Sequence, residues 1–283
     1  MERTTINTTF NKSLTKAVSV LKCFTPQKLE LSATDVAYKV RIPKTTAHRI
    51  LRTFAEAGLL EQNLNTRKYT IGPLLYILGS LYLSTADVLK AAEPVLEKLN
   101  ELSGLDVNLG MFDHGYVTVV MRVLAKSLLR YDVRVGAIVP AHTSSMGKAF
   151  LSELTEDELD NLYPREQLQQ RTERTIATKR ELKLQLEKIR KSRIAFTKGE
   201  GEEGMEGIAS LIRDASGKAV AAMSIHLPSF KANDTIREQL ATLIKKGSSL
   251  VSYRLGYQDS ADPVHDIREI DAWWAQNKPG SIE

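Results

Sequence analysis

Residues 43–71, PKTTAHRILRTFAEAGLLEQNLNTRKYTI, decide the fold of the first quarter of the chain. Pro43 suits the first position of a helix, where its missing N–H has no partner to lose. Beyond it, Ala47, Ile50, Leu51 and Phe54 recur at i, i+3, i+4 and i+7, one apolar face of a helix. The opposite face carries Thr45, His48, Arg49 and Arg52, with Lys44 at its start. No acid lies between Pro43 and Ala55, whereas solvated helix faces ordinarily mix both signs. Gly58 suits the residue just past a helix end. After it, two β-prone runs, 59–62 and 68–71, flank a polar turn, which reads as a hairpin.

Upstream, Leu14, Ala17, Val18, Leu21 and Phe24 form a second helical stripe, with Ser13 as its expected N-cap and Pro26 as its stop. A short helix is expected from near Ser32, with Asp35 in its first turns and Val36, Ala37 and Val40 turned inward. Two short helices, a tight turn and a cationic third helix make a helix-turn-helix, and a hairpin directly after it is a wing. Such a third helix can lie in a major groove, with Lys and Arg on phosphates and Thr, His and Arg at base edges. The candidate contacts to double-stranded DNA are Lys44, Thr45, Thr46, His48, Arg49 and Arg52, with Arg67 and Lys68 on the wing. Charge agrees. Net charge is +5, yet residues 1–75 alone hold 12 Lys+Arg against 5 Asp+Glu, so the remainder is slightly negative. A basic module on a near-neutral body fits an arm that meets a polyanion. The competing reading is a small helical domain with a solvated basic face.

The full 283 residues fit roughly two domains. There is one cysteine, Cys23, so no intramolecular disulfide forms and nothing points to secretion. Residues 1–13 lack the apolar core of a signal peptide, and the greasiest run, 71–83, is too short to span a bilayer. A cytoplasmic protein without membrane contact is expected. Residues 73–85 are apolar around much of a helical circumference, which suits burial in the chain or, preferably, a linker helix packed on its copy in a dimer. From 87 the expected order is a helix to 103, strands over 106–112, 117–123 and 128–133, and helices over 145–151 and 179–192. Strands near 194–197, 208–213 and 219–227 follow, then a helix over 233–255. Hairpin-joined strands with grouped helices give an α+β class on an antiparallel sheet.

Three motifs raise the question of chemistry. Gly199-x-Gly201-x-x-Gly204 has dinucleotide-fingerprint spacing, but a β-prone run follows it instead of a helix. Glu200, Glu202, Glu203 and Glu206 would also repel pyrophosphate, so these glycines read as a flexible covering loop and no cofactor is expected. Ser145-Met146-Gly147-Lys148 fits S-x-x-K, which leaves three readings open: a serine hydrolase pair, a helix cap at Ser144 or Ser145, or free amides that receive an anion. The histidines and Cys23 have no paired metal-ligand spacing, so no metal is expected; His142 reads as structural and His226 as a pocket residue.

The helix over 13–24, Lys44-Thr-Thr-Ala-His-Arg-Ile-Leu51, Gly58-Leu-Leu60 and Tyr69-Thr-Ile-Gly72 together resemble the DNA-binding half of IclR-type bacterial transcriptional regulators. Arg134-Val-Gly136, Pro140-Ala-His142, Met146-Gly-Lys-Ala149, Glu203-Gly204 through Gly207-Ile-Ala209, and Asp214-Ala-Ser-Gly217 through Ala222-Met-Ser-Ile225 resemble the effector half. The resemblance implies a winged helix-turn-helix (13–72), a linker helix (73–86) and a GAF-like effector domain with a six-stranded curved antiparallel sheet (87–257), followed by an extension (258–283). It implies oligomers on palindromic operators and small organic or aromatic acids from catabolic pathways as effectors, with no catalytic residue. The implied effector contacts are the amides of Ser145 and Met146, with Thr197, Gly207, Ser224 and His226. Members that bind small carboxylates can carry an acid, a cysteine and a serine where Thr197, Gly207 and His226 stand. A glycine at 207 then implies a larger pocket and His226 a donor, which favours a larger, aromatic acid. In the extension, Ile267, Ile270, Trp273 and Trp274 suggest an amphipathic helix docked on the body or a neighbour. An effector-independent DNA-binding protein is the remaining alternative.

Overall fold

Capping and apolar spacing account for the first elements of the computed structural model, which describes residues 11–25, 28–78, 87–125, 133–258 and 263–279. Helix α1 spans Lys12–Leu21, and its N-cap is Asn11, two residues before the expected Ser13: Asn11 Oδ1 accepts from the amides of Ser13 and Leu14. The expected stripe is also rotated. Val20 and Cys23 are buried while Leu14 and Val18 are at least half exposed, because α1 meets its neighbours along the 20–23 edge. Pro26 lies outside the described residues. Helix α2, Ala33–Val40, opens with a capping box between Ser32 and Asp35 and closes on Arg41 in the left-handed conformation (φ 56°). That residue makes the turn into α3, Lys44–Glu56. Pro43 occupies the N-cap of α3 and not its first turn; Ala47 and Leu51 are fully buried, as their spacing requires.

Strands β1 (Leu60–Gln62) and β2 (Tyr69–Ile71) pair antiparallel as the expected hairpin. Tyr69 is buried, and its backbone also exchanges hydrogen bonds of 2.9 and 3.0 Å with Leu31, just before α2. Gly72 presses the strand end against the end of α3: a Cβ there would stand 2.5 Å from the Gly58 carbonyl oxygen. Residues 73–78 continue as helix α4, and 79–86, the rest of the expected linker, lie outside the described residues. By contacts the chain divides into two units, Met1–Thr85 and Ala86–Glu283.

In the second unit, α5 (Asp87–Ser103) leads to β3 (Asp106–Asp113) and β4 (Tyr116–Val123). The next described strand is β5, Ile138–Pro140. Of the strand expected over 128–133, residues 128–132 lie outside the described residues, and Val133 is not in a strand. Helices α6 (Ser145–Leu151), α7 (Glu156–Leu162) and α8 (Lys179–Ser192) precede β6 (Ala195–Lys198), β7 (Met205–Arg213), β8 (Ala219–Pro228) and α9 (Asp234–Arg254). Among the described residues the sheet is six-stranded, antiparallel and curled, in the order β5-β4-β3-β8-β7-β6. Alternation splits its strands. Val107, Leu109, Ile208, Met223 and Ile225 face a core shared with α5 and α9. The other face carries Val117, Val119, Ala209 and Ala222 against Met146 and Phe150 of α6. The extension forms α10 (Ile267–Asn277), whose buried Ile270 and Trp274 join the α5–α9 core, so this helix docks on its own chain. No helix among the described residues is long and apolar enough to cross a membrane.

Candidate functional site

The first candidate surface is the outward side of α3 and the wing. Lys44, Thr45, His48, Arg49 and Arg52 are all exposed, and Thr46 is partly covered. Lys44, His48 and Arg52 line one concavity together with Arg67 of the wing, while Thr45 and Arg49 project from the adjoining side of α3. Arg67 sits at the tip in the left-handed conformation (φ 58°), because Asn63 Oδ1 closes the turn by accepting from the amides of Asn65 and Thr66. Two of the cations have local partners. Arg52 meets Glu56 at 2.8 Å and Lys68 meets Glu30 at 3.8 Å, both in the open. Exposed pairs of this kind contribute about 0–1 kcal/mol, so a phosphate can displace either carboxylate.

The second candidate is the buried face of the sheet under α6. Ser144 caps α6 by accepting from the Gly147 amide at 3.0 Å, and the Ser145 hydroxyl is buried with no partner among the described residues. The register sets Thr197 opposite Gly207, Gly207 opposite His226, and His226 opposite Asp106. Two residues along, Ala209, Ser224, Asn108 and Arg122 form the next row. Five of the six implied effector residues therefore converge here: Ser145, Thr197, Gly207, Ser224 and His226. Met146, implied only through its amide, stands in the first turn of α6 beside them while its side chain packs on Gly110. Gly207 does not simply enlarge the site. The point its Cβ would occupy is 2.7 Å from Ser145 Oγ and 2.8 Å from Thr197 Oγ1, so the missing side chain lets two hydroxyls converge.

His226 lies 2.9 Å from Ser224 Oγ. Burial holds its pKa down to about 4, with Asp106 opposing and Arg122 assisting, so it is a neutral imidazole near pH 7. Arg122 and Asp106 form a buried ion pair at 2.5 Å, and Asp106 also accepts from the Ala125 amide. Sequence reading missed Asp106, Asn108 and Arg122. The available signal was two polar residues alternating with Val107 and Leu109 in an otherwise apolar strand.

The S-x-x-K pair does not form. Lys148 is fully buried and points away from Ser145, donating to Glu200 and, at 2.8 Å, to Gln185 Oε1. Burial pushes the Lys148 amine's pKa down and the Glu200 carboxylate opposes that. The glycine fingerprint lies between β6 and β7, two strands of a hairpin. Its loop is not a loose cover. Glu200 is tied to Lys148, the Gly199 and Glu200 carbonyls accept from Thr172 and Thr175 hydroxyls at 2.7 and 2.6 Å, and Glu206 forms a two-pronged pair with Arg237. His142 meets the Gln169 carbonyl at 2.8 Å and stacks edge-on with Tyr163, a structural role. Among the described residues no three His, Cys, Asp or Glu side chains are grouped to hold a metal ion.

A winged helix-turn-helix with an acid-free reading face, joined to an α+β unit with a buried polar strip, defines a DNA-binding regulator with a ligand-receiving domain. Comparison with known proteins agrees. The IclR helix-turn-helix domain matches residues 13–64, and the C-terminal domain of bacterial transcriptional regulators of the IclR type matches residues 80–253. The acetate operon repressor of Salmonella typhimurium is 30% identical over 247 residues, 87% of this chain and 90% of that protein. The transcriptional repressor AllR of Escherichia coli is 28% identical over 245 residues, again 87% and 90%. A transcriptional regulator from Rhodococcus sp. RHA1 superposes with a TM-score of 0.73 at 28% identity, over 87% of this chain and 98% of that one. An IclR homolog from Microbacterium hydrocarbonoxydans, solved with 4-hydroxybenzoate, shares the fold at a TM-score of 0.76 and 23% identity, over 86% and 98%. The chain belongs to the IclR family: it is a DNA-binding transcriptional regulator with a C-terminal effector domain, and not an enzyme.

Proposed function

We propose that this regulator controls a catabolic operon from the cytoplasm, binding its operator as a homodimer or homotetramer and responding to a small organic acid of the aromatic class. The observation that carries the DNA half is the exposed, acid-free face of α3 from Lys44 to Arg52 beside the wing. Lys44, Arg52, Arg67 and Lys68 serve the phosphates; Thr45, Thr46, His48 and Arg49 face base edges. Exposure of Tyr76, Ile77 and Leu78 on α4 supports a linker that packs on its copy.

For the effector, Ser145 and Thr197 receive the carboxylate, with the Met146 amide, and Ser224 and His226 receive the rest of the molecule. Thr197 in place of an acid, and His226 as a donor to a phenolic oxygen, favour a larger acid over a two- or three-carbon one. The 4-hydroxybenzoate found in the Microbacterium homolog lends weight to that class. The acid acts by binding one arrangement of the DNA-reading heads better than another, since a ligand shifts only an equilibrium that it binds unequally.

Fluorescence anisotropy of the purified protein on DNA from upstream of its own gene tests this. The titration uses two salt concentrations and a panel of pyruvate, glyoxylate, benzoate and 4-hydroxybenzoate. Tight, salt-sensitive, sequence-preferring binding that an aromatic acid shifts is the expected result. A response to pyruvate or glyoxylate alone would overturn the aromatic assignment. Operator binding that no acid alters, with no acid raising the thermal stability, would favour an effector-independent binder.

A further inference from the structure

We propose that Asn108 is a specificity-determining residue of the effector site, receiving a hydroxyl at the end of the effector remote from its carboxylate. Asn108 is 1% exposed, and among the described residues neither its Nδ2 nor its Oδ1 has a hydrogen-bond partner. Buried amides in folded proteins are almost always paired, so one with both atoms idle marks a place where a ligand completes the bonding. The Ser145 hydroxyl, at the start of α6 over the same face of the sheet, is another buried group without a partner among the described residues. The proposal rests on the reading that Ser145 and Thr197 hold the carboxylate.

Asn108 stands directly across from Ser224 on β8 and from Arg122 on β4. Gly207, where Ser145 and Thr197 converge, lies two strands away and two residues along. Strand spacing of about 4.8 Å and a rise of about 3.3 Å per residue put the two backbone positions about 12 Å apart. After the inward reach of the side chains, that separation fits a ring-bearing acid and is far too long for a two- or three-carbon one. The chemistry of the amide narrows the far group. Asn offers two donors and one acceptor oxygen, and a hydroxyl, which donates and accepts, satisfies both. A second carboxylate would satisfy only Nδ2 and would face Oδ1 with its own lone pairs. The neighbouring charges already cancel, because Arg122 is paired with Asp106. The far end of the site is thus polar, uncharged and donor–acceptor in character.

The test uses the full-length chain and isothermal titration calorimetry with benzoate and 4-hydroxybenzoate, on wild type, Asn108→Leu, Asn108→Ser and Ser145→Ala. Wild type is expected to prefer 4-hydroxybenzoate at least tenfold. Asn108→Leu is expected to abolish that preference while keeping benzoate affinity within threefold, and Asn108→Ser to retain part of it. Thermal unfolding without ligand adds a readout that a structural amide would move. Asn108→Leu is expected to leave the melting temperature unchanged or raised, since no existing bond is lost. Equal binding of both acids by wild type, or an undiminished preference in Asn108→Leu, would overturn the proposal. So would a large fall in the melting temperature of both Asn108 variants. Binding of both acids that Ser145→Ala leaves untouched would instead overturn the carboxylate assignment beneath it. Failure of wild type to bind either acid would overturn both.

Discussion

Replacing Lys148 with Met should destabilise the second unit more than any surface change, and the cost can be worked from its surroundings. The amine is fully buried, it donates to Gln185 Oε1 and to Glu200, and the Glu200 side chain is only 9% exposed. Removing one partner strands the other charge in a site that water does not reach. Such single truncations cost about 3–5 kcal/mol, whereas replacing both partners with apolar groups is often neutral. Against a typical total of about 5–15 kcal/mol, that is a large share. The assay is urea denaturation followed by tryptophan fluorescence. The protein has two tryptophans, Trp273 and Trp274, and both lie on α10, so the signal reports the second unit alone. With m near 2–3 kcal/mol/M, each of Lys148→Met and Glu200→Leu should lower the midpoint by about 1–2 M. The double variant should recover most of the loss. Singles that each shift the midpoint by less than about 0.3 M, with an additive double, would refute the idea that a buried pair pins α6 to the 199–204 loop.

Arg49→Ala is expected to weaken operator binding by about 1–3 kcal/mol and relax sequence preference, as loss of a bidentate base contact does; unchanged anisotropy titrations would remove Arg49 from the reading face. Lys68→Ala should weaken binding to all sequences alike and reduce the salt slope by about one. Gly72→Ala should cost about 1–3 kcal/mol in the first unit, because its methyl would meet the Gly58 carbonyl at 2.5 Å, as thermal unfolding monitored by circular dichroism would report. His226 gives a pH signature. Its folded pKa of about 4 lies below the unfolded value of about 6.5, so the unfolded chain binds more protons between the two. Stability should therefore fall as pH drops from about 6.5 to 4, by at most about 3 kcal/mol, and then level off. His226→Gln should flatten that segment of the curve, and an identical slope in the variant would contradict the assignment.

The DNA-reading half was legible because its signals are local. Apolar residues at helical spacing, a run without acids and a polar turn specify α3 and the wing without reference to anything distant. Where two local signals competed, the sequence misled: Asn11 and Ser13 can each cap α1, and the cap moved outward. Helix α7 was missed although Thr155 and Glu158 form a capping box, because only Leu159 is buried in a run of acids. Strand β5 has three residues and ends in proline, too little to show a period. The ligand site is a different matter. Thr197, Gly207, His226 and Asp106 are far apart in sequence and share a row only through strand register, and register depends on which edges pair. The family resemblance supplied the residues on β6 to β8. It did not supply Asn108, a buried amide with no hydrogen-bond partner among the described residues.

The pairing of Tyr69 with Leu31 has a mechanical consequence. The wing is stitched by its backbone to the segment that starts α2, and Gly72 wedges its base against the end of α3. Helix, turn and wing therefore behave as one casting with a fixed profile. On the proposed reading, a bound metabolite would therefore change where that casting is held and not the imprint it leaves on a groove.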